Sequence, residues 1–374
     1  MSRPSKSAGP LRRVVLAAGG TAGHVYPALA IADAYRRAVA PVDVLFFGTA
    51  DGFEARLIPR SGFPFSVVRY SPMAGQSLLV KARTVANLTG AVHRARKLLR
   101  AVRADMVIGL GGYASVPVLI AARSLGLHTA IHECNAVPGL ANKLLGRIVD
   151  RVYLGFNVAA VEFQSRHTLV TGNPVRSDVA SLAEEKHYPP TTGRRARILI
   201  TGGSQGSAFL NRQVPALLSR LSDLDFDIEV RHQAGELEVE LVRRAYEHAG
   251  LRAEVTPFVE DIVDAYRWAD FAITCAGAAT LSELAIVALP ALLVPLSSAP
   301  RNHQMYNAAA FANAAGTCWV NEDDWQPDAL VPRIGALLRH QAQWMEASRR
   351  LRQAAKPDAG RLLVADCEAS MGNR

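Results

Sequence analysis

Two stretches of this chain follow one plan. Val14-Val15-Leu16-Ala17-Ala18 runs directly into Gly19-Gly20-Thr21-Ala22-Gly23-His24, and from Val25 onward Leu29, Ala30, Ile31 and Ala34 recur at helical spacing. Much later, Ile198-Leu199-Ile200-Thr201 runs into Gly202-Gly203-Ser204-Gln205-Gly206-Ser207, followed by Phe209, Leu210, Val214, Leu217 and Leu218 at the same spacing. Each apolar run reads as a buried strand, and each set of glycines as the turn from strand to helix. Glycine allows positive φ and close approach of a ligand to the main chain. The helix start behind it offers unpaired N–H groups and a partial positive charge. Such a turn suits a phosphate, a diphosphate or a developing anion. Neither spacing is G-x-G-x-x-G, and the P-loop lysine is absent, so one turn alone is equally served by glycines that only pack. Two such units about half a chain apart point to two similar α/β domains. His24 is expected to be the only titratable side chain at the mouth of the first turn.

The 374 residues, 49% hydrophobic and 20% charged, describe a globular chain with a sizeable core. The net charge of +9 is unevenly spread: residues 1–175 hold 21 Lys+Arg against 8 Asp+Glu, a net +13, and residues 176–374 hold 21 against 25, a net −4. A basic first half implies an anionic surface or substrate. Aromatics are 7%, without the basic–aromatic interleaving of single-strand binders, so acidic lipid fits better than nucleic acid. The basic region Met73–Arg103 interleaves leucines and valines with Lys81, Arg83, Arg94, Arg96, Lys97, Arg100 and Arg103. From about Thr84 it reads as an amphipathic helix, and the Met73–Arg83 segment as a candidate for an acidic bilayer. Cys134, Cys275, Cys318 and Cys367 are scattered without metal or disulfide spacing, which suggests a reducing compartment. Residues 1–10 lack the apolar core of a signal peptide, and the longest apolar stretch is broken by Pro290 and Pro295.

Strands alternate with helices along both halves, which implies parallel sheets with ligands at the carboxyl ends of the strands. A third glycine turn, Gly111-Gly112-Tyr113-Ala114-Ser115, follows Met106-Val107-Ile108-Gly109, and His132-Glu133-Cys134-Asn135 ends another strand. In the second half, Ala276-Gly277-Ala278-Ala279-Thr280-Leu281-Ser282-Glu283 opens a helix. Thr280 and Glu283 have the spacing of a capping box, against which stands a carboxylate that accepts bonds from a ribose diol. Asn302-His303-Gln304-Met305-Tyr306-Asn307 is amide-rich at a helix start, which suits sugar hydroxyls. The acidic run Asp223-Leu224-Asp225-Phe226-Asp227 lies away from the glycine turns and reads as a solvated loop rather than a metal site.

Gly-Gly-Thr-Ala-Gly-His-Val at 19–25, Gly-Gly-Tyr at 111–113, His-Glu-Cys-Asn at 132–135, Gly-Asn-Pro-Val-Arg at 172–176, Gly-Gly-Ser-Gln-Gly at 202–206 and Ala-Thr-Leu-Ser-Glu at 279–283 stand in a familiar order. In these motifs, over about residues 12–365, the chain resembles the MurG family of peptidoglycan glycosyltransferases. The resemblance implies the α/β GT-B fold, two Rossmann-like domains around a cleft. Residues 11–175 would form the acceptor and membrane-facing domain, joined by the C-terminal segment 356–374, and residues 176–355 the UDP-sugar donor domain.

It also implies an inverting hexosyltransferase of cell-wall biogenesis, and so of cell shape and division. The donor would be UDP-N-acetylglucosamine and the acceptor undecaprenyl-pyrophosphoryl-N-acetylmuramoyl-pentapeptide. The enzyme would need no cofactor and no metal. It would sit peripherally on the anionic cytoplasmic face of the bacterial inner membrane, beside other cell-wall synthesis proteins and without nucleic acid. By motif, Thr21, Ala22 and Gly23 lie in a donor-contacting loop, with His24 as general base or as a phosphate or backbone partner. Asn135 and Arg176 line the cleft, Ser204 approaches the phosphates, and the main chain of Val259 reads the uracil. Ala278, Ala279, Thr280, Leu281 and Ser282 wrap the phosphates, Glu283 holds the ribose, and His303 and Gln304 meet the sugar hydroxyls. Ala22 replaces a usual glycine, Cys134 a usual glutamine, and Ser297–Asn302 a more acidic approach. The rival readings are a lipid glycosyltransferase with another acceptor and an idle UDP-sugar-binding scaffold. A dinucleotide oxidoreductase is disfavoured by the glycine spacing.

Overall fold

The computed structural model describes residues 12–20, 22–38, 41–70, 78–163, 167–185, 195–203, 205–223 and 226–372. The chain divides into two compact units. The first comprises Met1–Cys134, Pro138–Arg176 and Asp358–Arg374; the second comprises Asn135–Val137 and Ser177–Pro357.

In the first unit, β1 (Arg12–Ala17), β2 (Val42–Gly48), β3 (Phe65–Val67), β4 (Met106–Gly109), β5 (His128–Glu133), β6 (Arg151–Leu154) and β7 (Thr168–Val170) form a seven-stranded sheet in the order β3-β2-β1-β4-β5-β6-β7. Every pairing is parallel; Val14 sits beside Val44 on one side and Met106 on the other. The apolar runs are continuous because helices cover both faces. Val14, Leu16, Phe46 and Ile108 pack against α1 (Ala22–Arg37) and the C-terminal helix α14 (Ala359–Gly372). Val15, Ala17, Phe47 and Val107 face α3 (Leu78–Ala101) and α4 (Ser115–Ser124). Leu363 and Cys367 of α14 are wholly buried, and Asp366 accepts from Tyr153 Oη at 2.8 Å and pairs with Arg151 at 3.0 Å. The last 14-residue helix therefore completes the first unit's core.

The second unit repeats the design with six strands, β8 (Ala196–Thr201), β9 (Ile228–Gln233), β10 (Arg252–Thr256), β11 (Phe271–Thr274), β12 (Ala291–Leu293) and β13 (Cys318–Trp319), all parallel in the order β10-β9-β8-β11-β12-β13. Ile198, Ile200, Phe271, Ile273 and Leu292 form one core with α7 (Ala208–Ser222), α8 (Val239–His248) and α12 (Pro327–Arg339).

Sheet order reverses next to the first strand of each unit, between β1 and β4 and between β8 and β11. Those reversals are where an open α/β sheet leaves room beyond its carboxyl edge for a ligand. The glycine turns at 19–20, 111–112 and 202–206 all fall there.

The sequence reading needs correction in two places here. α3 begins at Leu78, so residues 78–83 belong to the helix expected only from Thr84; residues 71–77 lie outside the described ones. Short helices α5 (Leu140–Leu145) and α6 (Ser177–Ala180) were not anticipated, because neither is long enough to show a period. Of the acidic run, Leu224 and Asp225 lie outside the described residues, and Asp227 accepts from Arg195 Nε at 2.9 Å.

Candidate active site

In the first unit the turn after β1 is built around a carboxylate that the sequence reading overlooked. Glu54, on α2 (Phe53–Arg60), is wholly buried. It accepts from Gly20 N at 3.0 Å, Thr49 N at 2.9 Å and Thr49 Oγ1 at 2.6 Å. His24 is thus not the only titratable group at this turn, though it is the more accessible: Glu54 is spent on two main-chain N–H groups and the Thr49 hydroxyl. Nothing in the spacing of Phe53-Glu54 distinguishes it from an exposed helical glutamate, since only the fold brings it under Gly20.

His24 itself stands in the first turn of α1, half-buried. Its ring lies against the glycine turn at 111–112: a Cβ on Gly111 would come within 2.8 Å of His24 Cδ2 and Nε2. Gly112, at φ +77°, crosses the first turn so closely that a Cβ would meet the Gly19 carbonyl oxygen at 2.2 Å. Only glycine permits both the backbone angle and the contact. Ala22, in place of a usual glycine, opens α1 in helical conformation, where alanine is favoured. Gly23 is exposed, and Thr21 lies outside the described residues.

Behind His24, His132 is buried, with Nε2 3.4 Å from the Gly172 carbonyl oxygen. Burial pushes its pKa down to about 4; the Gly172 hydrogen bond opposes this and the charge of His24 adds to it. Glu133 accepts from Gly139 N at 3.1 Å and Asn142 Nδ2 at 2.9 Å. Cys134 is buried and its thiol is pushed well up by desolvation, so it offers neither an amide nor a nucleophile. Arg176 stacks its guanidinium over the Tyr26 ring at 4.7 Å, which brings it to α1, the helix that carries His24.

In the second unit the strand ends carry the other predicted residues. The 202–206 turn is pinned by Gln233 Nε2, which donates to Gly203 O at 2.6 Å, and Ser207 caps α7 by accepting from Leu210 N. Ser204 lies outside the described residues. α10 (Ala278–Val287) starts after Gly277 with no side-chain cap, so the capping-box reading of Thr280 and Glu283 is wrong. Ala278, Ala279, Thr280, Leu281 and Ser282 are instead the start of the helix, at the positive end of its dipole, and Leu281 N already donates to the Gly277 carbonyl at 3.0 Å. Ser282 Oγ turns back to the Ala278 carbonyl at 2.9 Å. Glu283 accepts from Tyr266 Oη at 2.8 Å.

The amide-rich helix start serves partly as scaffold. Gln304 Oε1 accepts from Ala276 N and Leu296 N, each at 3.0 Å, and so ties the ends of β11 and β12. His303 Nδ1 lies 2.9 Å from the Pro300 carbonyl oxygen. Asn307, wholly buried on α11 (His303–Ala315), donates to Asn135 Oδ1 at 3.0 Å and Ala276 O at 3.3 Å, and accepts from Ala136 N at 2.8 Å. It fixes Asn135 beside the start of α10. Val259 follows β10, half-buried. Among the described residues no group of three His, Cys, Asp or Glu side chains is placed to hold a metal ion.

The glycosyltransferase family 28 N-terminal domain matches residues 14–154, and its C-terminal domain residues 197–363. A protein of Methylococcus capsulatus is 39% identical over 362 residues, 96% of this chain and 99% of its own length. One from Geobacter sp. is 35% identical over 353 residues, 94% of this chain and 95% of its own. Both are named UDP-N-acetylglucosamine–N-acetylmuramyl-(pentapeptide) pyrophosphoryl-undecaprenol N-acetylglucosamine transferase. The crystal structure of Acinetobacter baumannii MurG superposes with a TM-score of 0.77 at 29% identity, covering 96% of this chain and 99% of that one. This chain belongs to the MurG family. As a MurG-family chain it has the two Rossmann-like parallel-sheet domains expected from its sequence, and it is a glycosyltransferase of the hexosyl class.

Proposed function

We propose that this chain moves N-acetylglucosamine from UDP-N-acetylglucosamine to undecaprenyl-pyrophosphoryl-N-acetylmuramoyl-pentapeptide, with inversion, in peptidoglycan synthesis. The observation that carries the reading is kinship over 94–96% of the chain with enzymes named for this transfer. The glycine turns after β1, β4 and β8 and the start of α10 after β11 stand at the switch points of the two sheets.

The donor belongs to the second unit and the acceptor to the first. The bond from the anomeric carbon to the diphosphate breaks with oxocarbenium character, and UDP departs with the electron pair. Main-chain N–H groups at Ala278–Ser282 and in the 202–206 turn with Ser204 stabilise the leaving charge, each by roughly 0.3–2 kcal/mol. Val259 reads the uracil through its main chain, and Glu283 accepts from the ribose diol. Gln304 has committed Oε1 to Ala276 and Leu296, so its Nε2 is the group that donates to a sugar oxygen. With Nδ1 on the Pro300 carbonyl, His303 presents Nε2 to a sugar hydroxyl.

In the first unit, Thr21, Ala22 and Gly23 belong to the loop that carries His24, and Arg176 supports the reacting groups; Asn135 belongs to the second unit. His24 takes the proton from the acceptor hydroxyl as that oxygen attacks. No divalent ion enters these steps.

The acceptor's polyprenyl chain places the enzyme on the cytoplasmic face of the inner membrane, among other cell-wall synthesis proteins. No helix among the described residues is long and apolar enough to cross a membrane. Support for a peripheral, anionic contact comes from the net +13 of residues 1–175 and from Leu140 (63% exposed), Leu144 (53%) and Ile148 (40%) beside Lys143 and Arg147.

Radiolabelled UDP-N-acetylglucosamine incubated with the purified lipid acceptor tests the reading. Labelled lipid and free UDP should accumulate in equal amounts, with or without chelator. Donor binding without UDP release on addition of acceptor would favour the scaffold reading instead.

A further inference from the structure

We infer that Tyr266 is a positioning residue for the ribose-binding carboxylate of Glu283; the inference rests on that proposed role of Glu283. Tyr266 lies on α9 (Ile262–Trp268), at 3% exposure, and donates its phenolic O–H to Glu283 Oε2 at 2.8 Å. Glu283 projects from α10, half-buried, at the carboxyl side of the sheet. α9 precedes β11 and α10 follows it, so one βα unit sets the phenol beside the carboxylate.

The physical asymmetry between the two side chains decides what the bond does. A buried tyrosine ring has two torsions, both fixed by packing, whereas a glutamate has three and loses substantial rotamer freedom when it is ordered. An O–H donor to an ionised carboxylate is roughly twice as strong as a neutral pair. The bond therefore orders Glu283 before a ligand arrives, and binding need not supply that ordering. A diol presents two adjacent O–H donors, and a pre-set carboxylate meets both. A carboxylate free to rotate meets them only after paying its own entropy. Tyr266 touches no ligand atom in this scheme; it acts through Glu283.

A bond that merely staples α9 to α10 would affect all ligands alike. The test is therefore a ratio: the affinities for UDP and 2′-deoxyuridine diphosphate, measured by calorimetry on one preparation, so that folded fraction cancels. The wild type should prefer UDP. Tyr266→Phe, which removes one oxygen and keeps the ring, should weaken UDP binding roughly five- to tenfold and the deoxy ligand less than about twofold, which collapses the preference. KM for UDP-N-acetylglucosamine should rise while kcat stays within about twofold. In a Glu283→Gln background, adding Tyr266→Phe should change nothing further. Loss of the preference in Glu283→Gln with its retention in Tyr266→Phe would overturn the role of Tyr266 alone. Retention of the preference in Glu283→Gln would overturn the ribose role of Glu283 and this inference with it.

Discussion

In the proposed transfer His24 takes the acceptor proton, and its neighbours bear on that role. Its ring rests on Gly111, where any side chain would collide with it, and it is half-open to a ligand. Close by, His132 is held neutral by burial, with a pKa of about 4, so the pair does not share two charges near neutrality. His24→Ala should lower kcat by roughly 10²–10⁴-fold, the usual scale for a lost general base. Affinity for UDP, measured by calorimetry, should stay within about threefold. A turnover near wild type would remove His24 as the base. The sequence reading singled out His24 from its place after the glycines and weighed a ribose role for Glu283 against a cap, but it missed Glu54. The partners Gly20 for Glu54 and Tyr266 for Glu283 become neighbours of these carboxylates only through the fold, so neither bond shows in the sequence.

At the level of the element, the turns are rigid because they are packed on one another. Gly112 against the Gly19 carbonyl couples the β4 turn to the β1 turn. Gly112→Ala should cost on the order of 1–3 kcal/mol in urea unfolding from backbone strain alone, and more from the collision. Gly126 is the control: its φ is +73° but a Cβ there meets nothing within 4 Å, so Gly126→Ala should show the strain without the collision. Equal costs at the two positions would contradict the coupling. Most strands and long helices were legible because continuous apolar runs and 3.6-residue periods survive in the sequence. α9 falls at Ile262–Trp268, as its pattern indicates. The starts of α1, at Ala22, and α10, at Ala278, were set too late or given the wrong cap, since small residues at a helix start carry no period.

For the molecule as a whole, two buried histidines set an acid limit. Burial lowers His132 to about 4 and His232 to about 3, from an ordinary value near 6.5. His232 is closed in by Tyr246 Oη at 2.9 Å and Asn211 Oδ1 at 3.0 Å. Both must be neutral in the folded chain, while the unfolded chain protonates them below about 6.5. Their stabilising contribution is complete above that pH and falls as pH drops toward 4 and then 3, by roughly 3–5 kcal/mol each. Urea midpoints should decline from pH 6.5 to 4, and His232→Gln should flatten the decline if it folds; a flat wild-type profile would contradict this. The asymmetric charge makes a second prediction at this scale. Sedimentation with anionic vesicles should be strong at low salt, weaken sharply by about 0.5 M salt, and be negligible with neutral vesicles. The central claim is that main-chain N–H groups, rather than a metal ion, hold the sugar diphosphate at the carboxyl edge of the second sheet. A crystal structure with UDP-N-acetylglucosamine tests it most directly. The account predicts diphosphate oxygens within hydrogen-bond reach of N–H groups at 278–282 and the 202–206 turn; a diphosphate seated elsewhere, or on a bound divalent ion, would contradict it.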